Sequence, residues 1–88
     1  MPDNKTYQLE IVTPKEIVFK GEVESLVVNA YKGSMGVLPN HAPLLALLKP
    51  GKIDFKFGGE DHIYTTADGF LEILSGKVRV ITEKAEKI

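Results

Sequence analysis

The 88-residue chain contains no cysteine and no tryptophan. Without thiols it has neither a disulfide framework nor a thiolate metal site. Such usage fits a reducing compartment. Histidine is scarce as well, with His41 and His62 as its two copies. No block of like charge occurs, and eleven basic against twelve acidic residues leave a formal charge of −1. Nucleic-acid binding draws on a basic face and counterion release, so this balance argues against such a partner. Long apolar runs are missing too. The longest, Ala42–Leu48 with Pro43 inside it, is far short of the roughly 20 residues of a membrane span. The opening Met1-Pro2-Asp3-Asn4-Lys5-Thr6 has no apolar centre and does not read as a signal peptide. A soluble single domain is expected, with any membrane contact made through another component. A domain of this size has an expected stability of about 5–10 kcal/mol.

What is present is alternation. Tyr7, Leu9 and Ile11 alternate with Gln8 and Glu10, the period of a half-buried strand. Thr13-Pro14-Lys15 interrupts it, because proline cannot donate to a ladder. Ile17-Val18-Phe19 reads as a second strand ended by Gly21, and Glu22–Ala30 as a third. Ile53, Phe55 and Phe57 alternate with Asp54 and Lys56 before Gly58-Gly59, a hairpin turn. Ile63–Ala67 returns. Asp68-Gly69 reads as another hairpin turn into Phe70–Leu74, and Ser75-Gly76-Lys77 as one into Val78–Thr82. Ala42–Lys49 is the one place where helical spacing competes. Pro50-Gly51 stops it at once, so an extended buried segment is expected there, with most of Leu44, Leu45, Leu47 and Leu48 in the core and one or two of them in an exposed apolar patch. Seven or more short strands predict a sandwich of two antiparallel sheets or a small barrel. Phe19, Phe55, Phe57 and Phe70 are expected in its core. The charged tail Glu83–Ile88 suits the start of a helix.

Enzymatic readings fail for want of parts. His41 and His62 stand 21 residues apart, and Asp61 beside His62 points to the other face of a strand. Ser25, Ser34 and Ser75 lack the strand–elbow–helix setting of a nucleophile. Gly33, Gly36, Gly58 and Gly59 match neither the dinucleotide nor the P-loop spacing. Glu22/Glu24 and Glu60-Asp61 read as solvated strand edges. No catalytic residue, metal ligand or cofactor is expected.

The segment Gly33–Leu45 (GSMGVLPNHAPLL) has four Gly or Pro among thirteen residues. It places apolar pairs, Val37-Leu38 and Leu44-Leu45, on either side of Asn40-His41. His41 suits a loop histidine bonded to a backbone carbonyl, or a group facing a partner. Met35, read as lying at the tip of a Gly-flanked turn, suits an adaptable interface. An exposed apolar patch is expected near Met35 and Leu38.

Several segments in order resemble the amino-terminal β-sandwich domain of the epsilon subunit of F-type rotary ATP synthase (delta in mitochondrial naming). They are Leu9-Glu10-Ile11-Val12-Thr13-Pro14, Phe19-Lys20-Gly21-Glu22-Val23, Gly33–Leu45 as G-x-x-G-V-L-P-x-H-A-P-L-L, Leu48-Lys49-Pro50-Gly51 and Gly69-Phe70-Leu71-Glu72-Ile73. The resemblance covers about residues 6 to 84. It implies an all-β, flattened sandwich of two five-stranded antiparallel sheets, spanning 1–88 as one domain. Residues 85–88 would then open a helical region that is missing or truncated. The Met1 start is taken to favour a naturally short subunit.

The resemblance also implies a non-catalytic rotor subunit at the cytoplasmic face of the bacterial inner membrane. Its partners would be the gamma subunit and the c ring, and the isolated chain would be a monomer. The partner-binding positions carried over are Thr13, Ser34, Met35, Gly36, Leu38, Pro39, Asn40 and His41, with His41 and Thr13 toward gamma. Ser34 stands where many relatives carry an acid, so no charged ring contact is carried over there. A free-standing sandwich that binds carbohydrate is the alternative. It would call on exposed aromatics, of which Tyr31 is the one well placed.

Overall fold

A computed structural model describes residues 5–88. The reading of the first four residues therefore falls outside the described part. The described chain is all-β, with ten strands. They are β1 Tyr7–Val12, β2 Ile17–Val23, β3 Ser25–Ala30, β4 Gly33–Val37, β5 Leu44–Leu48, β6 Gly51–Phe57, β7 Glu60–Thr66, β8 Gly69–Leu74, β9 Lys77–Thr82 and β10 Ala85–Lys87. Hydrogen bonding links them in the order β10-β7-β6-β3-β5-β8-β9-β1-β2, with β4 paired to β3. The network curls until its β2 end lies across β6. There the Phe19 ring is 4.6 Å from Phe55 and 5.2 Å from Phe57, centre to centre.

Alternation sets which side chains turn inward. Leu9, Ile11, Val23, Leu26, Val28, Val37, Leu48, Ile53, Phe55, Leu71, Ile73, Val78 and Val80 are buried and form one core. Gly58 and Gly59 have φ of 62° and 79°, the left-handed pair that a two-residue turn between β6 and β7 requires.

Several expectations need correction. β2 runs through Gly21 to Val23 rather than ending there. A Cβ at Gly21 would lie 2.9 Å from Phe57 Cε1 and 3.1 Å from Phe19 Cζ, so the glycine makes room for two rings. Asp68-Gly69 is not a hairpin turn. β7 pairs with β6 and β10, whereas β8 pairs with β5 and β9, so the dipeptide carries a crossover. β1 and β9 run parallel where antiparallel pairing throughout was expected. No hairpin joins these two strands, so nothing in the chain forces opposite directions.

The tail forms no helix. Ala85–Lys87 pairs with Tyr64–Thr66 as β10, and the Ile88 amide donates to the Ile63 carbonyl at 3.0 Å. β5 is extended as expected, but more of its leucines are exposed than the one or two expected. Leu44, Leu45 and Leu47 are exposed and Leu48 alone of its leucines is enclosed. Phe57 and Phe70, expected in the core, are both exposed. No helix of the described residues is long and apolar enough to cross a membrane.

Candidate partner-binding surface

Gly33–Val37 is a strand rather than a loop, in antiparallel register with β3 from Leu26↔Val37 to Ala30↔Gly33. The register places Met35 opposite Val28 in mid-strand, half-buried and packed against the core. It is not the exposed turn tip the sequence suggested. Ser34 and Gly36 alternate with it and are exposed on the edge strand.

The true turn follows. Leu38 is 63% exposed, and Pro39 has a fixed φ. Asn40 takes φ 68°, a left-handed value that asparagine tolerates better than other side chains. His41 Nδ1 lies 2.8 Å from the Ala42 carbonyl oxygen. A carbonyl only accepts, so Nδ1 carries the proton in this contact. The His41 ring thus does bond a backbone carbonyl, while remaining half-exposed.

Tyr7 and Gln8 hold this end of the molecule. The buried Tyr7 hydroxyl donates to the Val37 carbonyl at 2.6 Å, and the Gln8 amide donates to Gly76 O at 3.2 Å. Burial pushes the Tyr7 phenol well above its ordinary pKa. Leu38, Asn40 and His41 line a small hollow shared with Tyr7, Leu74 and Gly76.

Thr13 is elsewhere. It closes the β1–β2 turn, accepting at Oγ1 from the Lys15 and Glu16 amides at 3.3 Å each. Tyr7 begins β1 and Thr13 follows its end, so at about 3.3 Å per residue the two ends lie roughly 20 Å apart. The eight expected residues therefore do not form one site. Thr13 is at one end of the slab, Leu38, Pro39, Asn40 and His41 are at the other, and Ser34, Met35 and Gly36 run between them along β4.

Pairing also assembles surface that the linear pattern hides. Ile17, Val12, Ile81, Phe70 and Leu47 pair in succession across β2, β1, β9, β8 and β5. Residues paired in register share a face. Ile17, Ile81, Phe70 and Leu47 are exposed, with Phe70 at 45% and Leu47 at 55%. This outward apolar row forms much of a cleft of ≈ 530 Å³ that also includes Thr13 and Tyr31.

The next row on the same face is Lys20, Glu10, Arg79, Glu72 and Leu45. Glu10 is buried, and its carboxylate lies 3.3 Å from Arg79 Nε, 3.6 Å from Lys77 Nζ and 3.9 Å from Lys20 Nζ. Arg79 reaches on to Glu72 at 3.7 Å. The outer face of β3, β6 and β7 is different. There Ser25, Lys56 and Asp61 pair in one row and Lys52 and Thr65 in another, and between them the exposed Val27 pairs with Asp54, which pairs with Ile63. Sequence reasoning missed the apolar row because its five members are scattered along the chain. Exposed Leu and Phe beside a strand of opposite parity were the available signal.

Among the described residues, no group of three or more His, Asp or Glu is placed to hold a metal ion.

The family described as "ATP synthase, Delta/Epsilon chain, beta-sandwich domain" matches residues 6–88. The ATP synthase epsilon chain of Nitratidesulfovibrio vulgaris is 40% identical over 83 residues, covering 94% of this chain and 62% of that one. That of Solibacter usitatus is 41% identical over 87 residues, covering 99% and 63%. The chain thus spans about three-fifths of the length of these curated relatives. A chain in the cryo-EM structure of the Euglena gracilis mitochondrial ATP synthase, OSCP/F1/c-ring, superposes with a TM-score of 0.89 at 26% identity, covering 94% of this chain and 54% of that one. One from the central stalk/c-ring structure of the Tetrahymena thermophila enzyme shares the fold, with a TM-score of 0.74 at 12% identity, covering 89% and 63%. With its ten strands and a match running from Thr6 to Ile88, the chain belongs to the ATP synthase delta/epsilon-chain β-sandwich family.

Proposed function

We propose that this chain is a non-catalytic subunit of the central stalk of an F-type ATP synthase. It links the gamma subunit to the c ring and so couples proton translocation to ATP synthesis. The observation that carries the reading is the family match over nearly the whole chain. The likeness to a chain within an F1/c-ring assembly supports it. Such a subunit works peripherally, at the cytoplasmic face of a bacterial inner membrane, and reaches the membrane only through its partners.

On this reading the continuous network is two five-stranded layers. β4, β3, β6, β7 and β10 form one, and β5, β8, β9, β1 and β2 the other. Ala30↔Leu48 is the one register pair joining β3 to β5. The shortest extent, 21 Å, accommodates two layers about 10 Å apart with outward side chains. Residues 1–88 are then one sandwich domain.

The exposed apolar row across β2, β1, β9, β8 and β5 is where a partner gains most from contact. We assign Leu47, Phe70 and Ile81, with Thr13 beside them, to the gamma subunit. Leu38, Pro39, Asn40 and His41 extend that contact along the same side. Ser34, Met35 and Gly36 present the β4 edge toward the ring. A slab of paired strands suits transmission of torque, because ladders of backbone bonds resist shear.

Co-purification with gamma tests the assignment. Leu47→Asp with Phe70→Asp alters only exposed positions. The doubly substituted chain should keep its β-type circular dichroism and melting point yet lose gamma. Unchanged capture of gamma by the folded variant overturns the assignment.

A further inference from the structure

We propose that Tyr7 is the positioning residue of the Leu38–His41 turn: the hydroxyl it donates to the Val37 carbonyl fixes where the turn leaves β4 and how it presents Leu38 and His41. The inference rests on the reading that this turn faces the stalk, and it adds a residue that neither the family signature nor exposure would select.

The geometry is specific. Tyr7 opens β1, and Val37 closes β4, thirty positions later in the chain. No strand pairing joins these two elements, so the 2.6 Å bond is a cross-link between parts that the sheet ladder does not tie together. Both residues are buried. In such surroundings losing the hydroxyl takes a buried donor from the Val37 carbonyl, and water does not readily take its place. Burial pushes the phenol further toward its protonated, donating form.

Beyond Val37 the turn has three further restraints of its own: the Pro39 ring, the left-handed Asn40 and the His41–Ala42 bond. These fix the shape of the turn but not its attachment. The attachment is set at Val37, which pairs with Leu26 on β3 and accepts from the Tyr7 hydroxyl of β1. Gln8, the next residue, bonds Gly76 O. Two adjacent residues of β1 thus hold both segments that border the hollow beneath Leu38.

Tyr7→Phe removes the hydroxyl and keeps the ring. Two measurements on the full chain separate the possibilities. Amide exchange and backbone nitrogen relaxation are read residue by residue on the isolated protein, and binding to purified gamma is read by calorimetry. Leu38→Asp serves as the binding reference. The expected result is amide exchange roughly 3- to 10-fold faster at Val37, Leu38, Asn40 and His41, unchanged exchange in β6 and β7, and gamma affinity weakened severalfold. A slowly exchanging hydroxyl proton with contacts to Val37 should be seen in the parent and be absent from the variant. Unchanged exchange and affinity in Tyr7→Phe, with Leu38→Asp still weakening gamma, overturns the positioning role and leaves the docking reading standing. Uniformly faster exchange in every strand also overturns it, since the hydroxyl would then serve general stability. If Leu38→Asp leaves gamma affinity unchanged, the docking reading of this turn fails, whatever Tyr7→Phe does to exchange.

Discussion

Gly69 stands at the most crowded backbone approach in the fold. It pairs on one side with Leu48 and on the other with Thr82. A Cβ built there would fall well inside the Ile81 carbonyl oxygen and 3.0 Å from both Ile81 C and Thr82 Cα. All three atoms are backbone, so no side chain can swing aside. Gly69→Ala must therefore push β8 away from β9 at this end, weakening the Gly69↔Thr82 and Phe70↔Ile81 pairs. The Thr82 hydroxyl bridges this corner, within 3.0 Å of Asp68 O and 3.1 Å of Ala67 O. It is displaced too. One or two ladder bonds at about 1 kcal/mol each, with the strain of overpacking, sum to roughly 2–4 kcal/mol. For a domain of this length each kcal/mol moves the melting temperature by about 4–8 °C, so a fall of about 10–25 °C is expected. Thermal melts followed by circular dichroism measure it. Gly36→Ala is the control: no atom lies within 4 Å of its Cβ and its φ is not positive, so its change should stay within about 0.5 kcal/mol. If the two variants melt within about 3 °C of each other, the close approach is not what selects glycine at 69.

Two other perturbations test the charged row and the turn. Glu10→Gln leaves Lys20, Lys77 and Arg79 facing a neutral group, and urea denaturation should show about 1–2 kcal/mol lost at low salt. The gap should narrow toward about 0.5 M salt, because the cations are partly exposed and their repulsion is screened. Asn40→Gly should change stability by less than about 0.5 kcal/mol, whereas Asn40→Val should lose about 1–2 kcal/mol in the same assay, because a β-branched residue resists φ 68°.

Local pattern carried much of the fold. The strands at Tyr7–Ile11 and Ile53–Phe57 and the paired glycines at 58 and 59 each depend on near neighbours and are found as read, though Glu10 is buried and Phe57 exposed against the alternation. The misreadings share one cause. Asp68-Gly69 has hairpin chemistry, but its glycine answers to β9, a contact made across the sheet. The leucines of β5 are apolar because one outer face is apolar, not because the strand is enclosed. The alternating charges of Lys84–Lys87 suit an exposed helix or an edge strand equally, and the open edge of β7 decides the matter. The Glu10 cluster and the apolar row depend on β1 lying beside β9, a pairing no local window contains. At the candidate surface the signature flagged the Leu38–His41 turn and the proline-flanked leucines hinted at an exposed patch, while Phe70, read as core, became visible only through register.

The parallel pairing of β1 with β9 has a consequence for biosynthesis. Glu10 and Arg79 meet across a separation of 69 residues, so the first strand cannot complete its bonding until β9 has left the ribosome. The early β1–β2 hairpin waits with one edge bare, and closure of so long a loop makes folding slow as well as late. Until that seam closes, the nascent chain is open to adhesion by other strands. Its safe arrival depends on how quickly the ninth strand follows the first.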